Sequence, residues 1–228
     1  MGQLIADVAR WFADGTRWSG PEGIVQRLLE HLQYSLLSTV VAVLIALPIG
    51  LLIGHTGKGA FLAINLASFG RALPTVGVVI LVFLVSGLNL WPVYVALVVL
   101  AIPVIVTNTY AGMAAVDHDV RDAARGTGLN GWQVLFQVEL PLAVPLILNG
   151  VRLAVVQVVA TATIAAYISF GGFGRYVFDG FAQNDLAQVF GGAVLIAVLA
   201  ITLDLALSGL QRALTPRGLA LQRRRSTR

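Results

Sequence analysis

Five stretches of this chain are apolar over a length that a bilayer rewards: Tyr34 to Gly54, about Ala60 to Val85, Trp91 to Ala114, about Leu142 to Ile168 and about Ala187 to Leu210. Crossing the hydrocarbon takes about 20 helical residues. Inside lipid each segment must satisfy its own backbone polar groups, so each run is predicted as helix. Composition removes the soluble alternative. Of 228 residues 57% are hydrophobic and 11% charged, with a mean hydropathy of +0.85, and a water-facing surface needs far more charge than that. The expected fold class is all-α integral membrane with five spans. Pro74 reads as a kink in a single second helix, because a loop there leaves too little chain on either side to cross. Pro48, Pro103 and Pro145 are expected inside helices, where neighbouring helices re-satisfy the freed carbonyls.

Lysine and arginine placement sets the orientation. With the C-terminus in the cytoplasm, the inner segments hold Lys58, Arg121, Arg125, Arg212, Arg217, Arg223, Arg224, Arg225 and Arg228, and the outer ones Arg10, Arg17, Arg27 and Arg175. Nine against four favours that arrangement, although the arginines of the N-terminal stretch weigh against it. The domain reading is residues 1–33 as an amphipathic extracytoplasmic segment, 34–212 as the transmembrane domain with a cytoplasmic loop at 115–141, and 213–228 as a basic cytoplasmic tail. Trp11, Phe12 and Trp18 suit a membrane interface. The arginine-rich end fits anionic lipid, and the net charge of +4 is no sign of nucleic acid. No signal-peptide core precedes the first span, so no cleaved signal is expected. Residues 170–185, aromatic and glycine-rich, read as an external lid or re-entrant element.

Few residues here suit chemistry. The chain has no cysteine, which removes thiolate nucleophiles and cysteine-ligated metals. His31, His55 and His118 are far apart in sequence and read as interfacial polar residues; no metal site is expected. The stretch around Lys58 departs from a phosphate-binding loop, because Leu52 takes the first glycine position and Gly59 replaces the hydroxyl that would hold magnesium. No catalytic residue is assigned.

The apolar pattern is interrupted once by a polar, helix-favouring segment, Asp122 to Pro141. Asp117, Asp119 and Asp122 lie where a helix starting near Val116 has its first turns. Asp117 and Arg121 stand at i, i+4 spacing, and Gly128, Asn130 and Gly131 end the helix. Ala123 and Ala124 leave one face nearly bare. At these residues the chain resembles the permease subunits of bacterial ABC importers. Their cytoplasmic loop carries Glu-Ala-Ala, three residues, Gly, nine residues, then Ile-x-Leu-Pro. Here Asp122-Ala123-Ala124 is followed at that spacing by Gly128 and by Val138-Glu139-Leu140-Pro141, with Asp122 in place of glutamate and Val138 in place of isoleucine. Asp122 keeps the charge with a shorter reach.

The resemblance extends over about residues 30–215. It implies a five-helix type I permease core in a bacterial inner membrane, with Asp122, Ala123, Ala124, Gly128, Val138, Leu140 and Pro141 forming a coupling segment that docks on a separate ATPase subunit. ATP and magnesium would bind that subunit, leaving this chain without a cofactor. Further implied partners are a second permease copy or a similar chain, an extracytoplasmic substrate-binding protein, and membrane lipid.

The segments at 30–54, 69–79 and 168–185 are similar to the osmoprotectant permeases, which serve glycine betaine, choline, carnitine or related quaternary amines. Methionine, other amino acids and oxyanions are the alternative substrates. A self-contained secondary transporter or channel is the alternative class, and it would call for inverted repeats or more intramembrane acids than this chain has. Asn108, Tyr110, Gln157, Thr161 and Tyr167 are span residues able to line a polar passage. Arg71, Arg152 and Asp204 lie within the runs, each about 10–16 Å of helix from its cytoplasmic end. A charge there costs about 2.5–3.5 kcal/mol unless it snorkels or pairs, so Asp204 is expected to pair with one of the two arginines.

Overall fold

The computed structural model describes residues 2–61, 65, 74–86, 89–168 and 170–214, and among them the chain is helical without a strand. Helix α1 (Gly2–Ala13) is amphipathic and buries Trp11. A 3₁₀ turn follows at Gly15–Trp18, capped by Asp14. The Thr16 hydroxyl and N–H both donate to Asp14, which holds that carboxyl below the usual carboxylate range.

Helix α2 (Ile24–Thr56) begins ten residues ahead of the apolar run at Tyr34 and carries Arg27, Glu30 and His31 in its first turns. Its 33 residues span about 50 Å at 1.5 Å per residue, more than a hydrocarbon core of about 30 Å requires. Helix α3 (Thr75–Ser86) starts immediately after Pro74. Pro74 is itself non-helical and accepts the first helical bond from Val78. The expected kink within one helix is therefore corrected to a helix start, where the missing N–H of a proline costs nothing.

Helix α4 (Trp91–Ala114) contains Pro103, and α5 (His118–Gly126) is the short polar helix. Helix α6 (Gly131–Val134), a π turn (Leu135–Glu139) and α7 (Leu140–Ala162) run on in sequence, with Pro145 inside α7. The π turn lies just before Pro141. A wider turn opens the hydrogen-bond ladder where proline has no N–H to give. A 3₁₀ turn at Thr163–Ile168 ends this span, and α8 (Gly174–Gln183) and α9 (Leu186–Leu214) complete the described chain. The helical runs at Ile24–Thr56, Trp91–Ala114, Gly131–Tyr167 and Leu186–Ala213 are long and apolar enough to cross a membrane, and Val76–Val85 is a shorter apolar helix. The remainder of the second predicted span lies largely outside the described residues.

The chain forms two compact units. One comprises the described residues among 1–40, 73–100 and 155–204. In it Trp11 packs edge-on against Tyr176 and lies against Gly191, where a Cβ would stand 2.7 Å from the indole. The predicted lid is a packed helix, α8, preceded by the fully buried Phe173. The Tyr176 hydroxyl donates to the Glu22 carbonyl, and burial pushes its pKa up to about 12.

The other unit comprises the described residues among 41–72, 101–154 and 205–228. One core cluster in it is Met113, Leu135, Ala143 and Ile147, with Leu47, Leu51 and Leu140 packed against it. Helices α2 and α4 approach closely here through glycine. A Cβ on Gly50 would lie 2.6 Å from that of Thr109, and one on Gly54 only 2.3 Å from that of Met113. Two small residues one turn apart let helix backbones meet in lipid, where apolar burial itself drives nothing.

Candidate functional site

Helix α5 is built almost wholly from local signals. Asp117 caps it, its carboxylate accepting the Asp119 N–H at 2.9 Å, and Asp119 occupies the first turn. At the other end the Thr127 and Gly128 N–H groups return to the Ala123 and Arg125 carbonyls. Gly128 stands at φ +91°, in the left-handed region that glycine enters without steric cost, and no atom of the described residues lies within 4 Å of where its Cβ would be. None of the nine residues of α5 is fully buried. A free helix of that length is marginal in water, so its position depends on what holds it from outside.

The expected Asp117–Arg121 pair does not form. Asp117 is spent on the cap, and Arg121 turns toward the spans. Its Nη2 donates to the Met113 carbonyl near the end of α4, and its Nε lies 2.9 Å from Glu139 Oε1. Those two atoms make an ionic contact without a hydrogen bond between them. Glu139 is 0% exposed, and its other oxygen takes the His55 Nδ1 at 2.5 Å. An ionised carboxylate only accepts, so Nδ1 carries the proton in this contact. Three elements thus meet on one buried carboxylate: the distant end of α2, the short helix α5 and the π turn that opens the fourth span.

The seven residues of the predicted coupling segment divide in two. Asp122, Ala123 and Gly128 are exposed and Ala124 partly so, while Val138, Leu140 and Pro141 are partly buried where the fourth span begins. One end of the motif faces out and the other is anchored. The Asp122–Arg125 contact on the outer end, 3.8 Å with both side chains mostly exposed, adds little stability. Beyond it Trp132 and Phe136 stack, 64% and 55% exposed.

Sequence reasoning missed Glu139, because the family pattern leaves that position free. A signal was available: Glu139 is the one acid between Asp122 and Asp179, at the mouth of an apolar span where a carboxylate needs a partner. The histidines also differ from the interfacial reading. His31 is fully buried, its Nε2 donating to the Val159 carbonyl at 2.9 Å and its Nδ1 accepting the Phe173 N–H at 3.2 Å. Glu30 beside it accepts the Gly172 N–H. Together they fasten the turn ahead of α8. His55 is committed to Glu139, and His118 alone is exposed, on α5.

The predicted passage residues are distributed over both units. In one, the Asn108 amide donates to the Val104 carbonyl of its own helix and packs against Gly150; Tyr110 is partly buried nearby in sequence. In the other, Gln157 reaches the Leu100 carbonyl, Thr161 donates to the Gln157 carbonyl, and Tyr167 meets Phe178 edge-on while 57% exposed. Of the intramembrane charges, Arg71 lies outside the described residues. Arg152 and Asp204 are partly buried, and neither is without a partner. Among the described residues no group of three or more His, Asp or Glu is placed to hold a metal.

Residues 36–218 match the family described as binding-protein-dependent transport system inner membrane component. Among curated proteins, the chain is 33% identical over 190 residues to the glycine betaine/carnitine/choline transport system permease protein OpuCB of Bacillus subtilis, covering 83% of this chain and 88% of that one. It is 35% identical over 188 residues to the osmoprotectant import permease protein OsmY of Salmonella typhimurium, covering 82% and 80%. Among solved structures it is similar to the MetNI methionine ABC transporter in an inward-facing conformation, with a TM-score of 0.74 over 85% of this chain and 96% of that one. That likeness, at 20% identity, concerns the fold.

Proposed function

The chain belongs to the family of binding-protein-dependent transport system inner membrane components, and from that premise we propose that it passes a quaternary-amine osmoprotectant of the glycine betaine, carnitine or choline type. It is a multi-pass permease subunit of an ATP-driven ABC importer in the inner membrane, and it is not an enzyme: the ATPase is a separate subunit, and a substrate-binding protein delivers the cargo. The substrate reading is supported by a relative at 33% identity named for glycine betaine, carnitine and choline, and by one at 35% named for osmoprotectant import. Affinity for the trimethylammonium group then resides in the binding protein, where aromatic faces attract the cation. The permease needs only a weakly polar passage, for which Asn108, Tyr110, Gln157, Thr161 and Tyr167 are the candidates.

The observation that most supports the mechanism is the two-ended geometry of the central segment: an exposed end at Asp122, Ala123 and Gly128 on a helix without buried residues, and an anchored end at Val138, Leu140 and Pro141. We read α5 as the helix that docks on the ATPase. One such helix per chain serves one ATPase subunit, so the working complex holds two permeases, either two copies or a pair of similar chains. ATP and magnesium bind the ATPase, with no cofactor in this chain. The C-terminus is cytoplasmic, and its arginines meet anionic lipid.

The test is reconstitution of the permease with its ATPase and binding protein in proteoliposomes. Labelled glycine betaine, choline and carnitine are offered beside methionine, and native mass spectrometry counts the subunits. ATP-dependent uptake of at least one quaternary amine, by a complex with two permease copies, is the expected result. Uptake of methionine alone would overturn the substrate reading, and an active complex with one permease copy would overturn the stoichiometry.

A further inference from the structure

We propose that Glu139 is a positioning residue for transport, the joint through which α5 moves together with α2 and the fourth span. The inference rests on the reading of α5 as the ATPase-docking helix and goes beyond it to a residue that the family pattern leaves free.

Three observations carry it. First, α5 has no buried residue, so apolar packing does not fix its place. Second, Arg121 is the α5 side chain that reaches inward, 11% exposed, and it ends on the Met113 carbonyl and on Glu139. Third, Glu139 is wholly buried and holds His55, at the end of α2, through its other oxygen. A carboxylate bound on both oxygens by groups from two other helices resists displacement from either one, because moving away leaves a buried charge unpaired. A push on α5 therefore reaches α2 and the base of α7 together. The π turn at Leu135–Glu139 places the carboxylate at a wide, adjustable turn of the helix. Asp117, the N-cap of α5, and Asp122 are both exposed and do not share this contact.

The experiment uses the reconstituted complex and reads three quantities: assembly, ATP hydrolysis and substrate moved per ATP. In Glu139→Gln the side-chain volume is kept and the charge is lost. In the double variant Arg121→Met/Glu139→Leu both charges are replaced by apolar groups of similar size, a change that buried ion pairs often tolerate without loss of folding. The expected result is an assembled complex in both, with hydrolysis reduced less than uptake, so that substrate moved per ATP falls about tenfold. Unchanged substrate per ATP in an assembled double variant overturns the proposal. So does failure of the double variant to assemble, because the cluster would then serve folding alone. The reading beneath it fails separately: a parent complex without ATP-dependent uptake, or one in which Gly128→Leu transports normally, would remove α5 as the docking helix.

Discussion

Gly128 combines a backbone requirement with an open surface. Its φ of +91° would cost a bulky L-residue about 1–2 kcal/mol, yet among the described residues nothing lies within 4 Å of where a Cβ would be. In the purified permease, Gly128→Leu should therefore lower thermal stability only modestly. In the complex it should reduce uptake about tenfold if the ATPase occupies that space. Gly128→Asn separates the two effects, since asparagine tolerates the left-handed region. It should spare the permease and still impair coupling, and normal uptake in Gly128→Leu would remove the docking assignment. What made Gly128 and the Asp117 cap legible in the sequence is that both act on their own neighbours. Glu139 acts on His55, 84 residues away, and no local pattern reports such a partner. Arg121 was misassigned for the same reason. Helix spacing offered it Asp117, and the fold offered it a buried carboxylate.

Between elements, α2 and α4 approach closely at Gly54, where a Cβ would sit 2.3 Å from that of Met113. Any side chain there must force the helices apart, and overpacking of this kind costs about 1–3 kcal/mol or more. Gly54→Leu should lower the unfolding temperature of the purified permease and its yield in the membrane. Gly209→Leu on α9, with nothing among the described residues within 4 Å of its Cβ position, should do neither. An equal loss at both sites would mean that helix spacing is not what Gly54 supplies. The elements themselves were readable where hydrophobicity and helix coincide, as in α4, which occupies the predicted Trp91 to Ala114. They were misread where the two part company. Helix α2 starts at Ile24 because a helix does not stop at the membrane surface, whereas a hydropathy run does. Pro74 was taken as a kink because the apolar run passes through it unbroken, yet it marks the start of α3. Helix α8 was hidden in a glycine-rich stretch whose anchors, Glu30 and His31, lie about 140 residues earlier.

At the scale of the molecule, class and family were legible because they rest on composition and on one motif, while the division into two units was not, since both draw on three separate parts of the chain. Orientation is the whole-molecule property that sequence addresses most directly. It follows from nine cations assigned inside against four outside, and α5 must face the cytoplasm if it is to meet an ATPase. With five spans, that orientation would put α1 (Gly2–Ala13), the turn at Gly15–Trp18 and α8 (Gly174–Gln183) outside. The natural chain has no cysteine, so a single introduced thiol reports its own side without background. Thr16→Cys, Gln183→Cys and Thr127→Cys all fall on exposed residues. In spheroplasts treated with a membrane-impermeant maleimide, the first two should label at once, and Thr127→Cys only after permeabilisation. The reverse pattern would invert the topology. It would also put α5 out of reach of any cytoplasmic ATPase, because a polar helix fixed by a buried carboxylate at the mouth of its span cannot change sides while the fold stands.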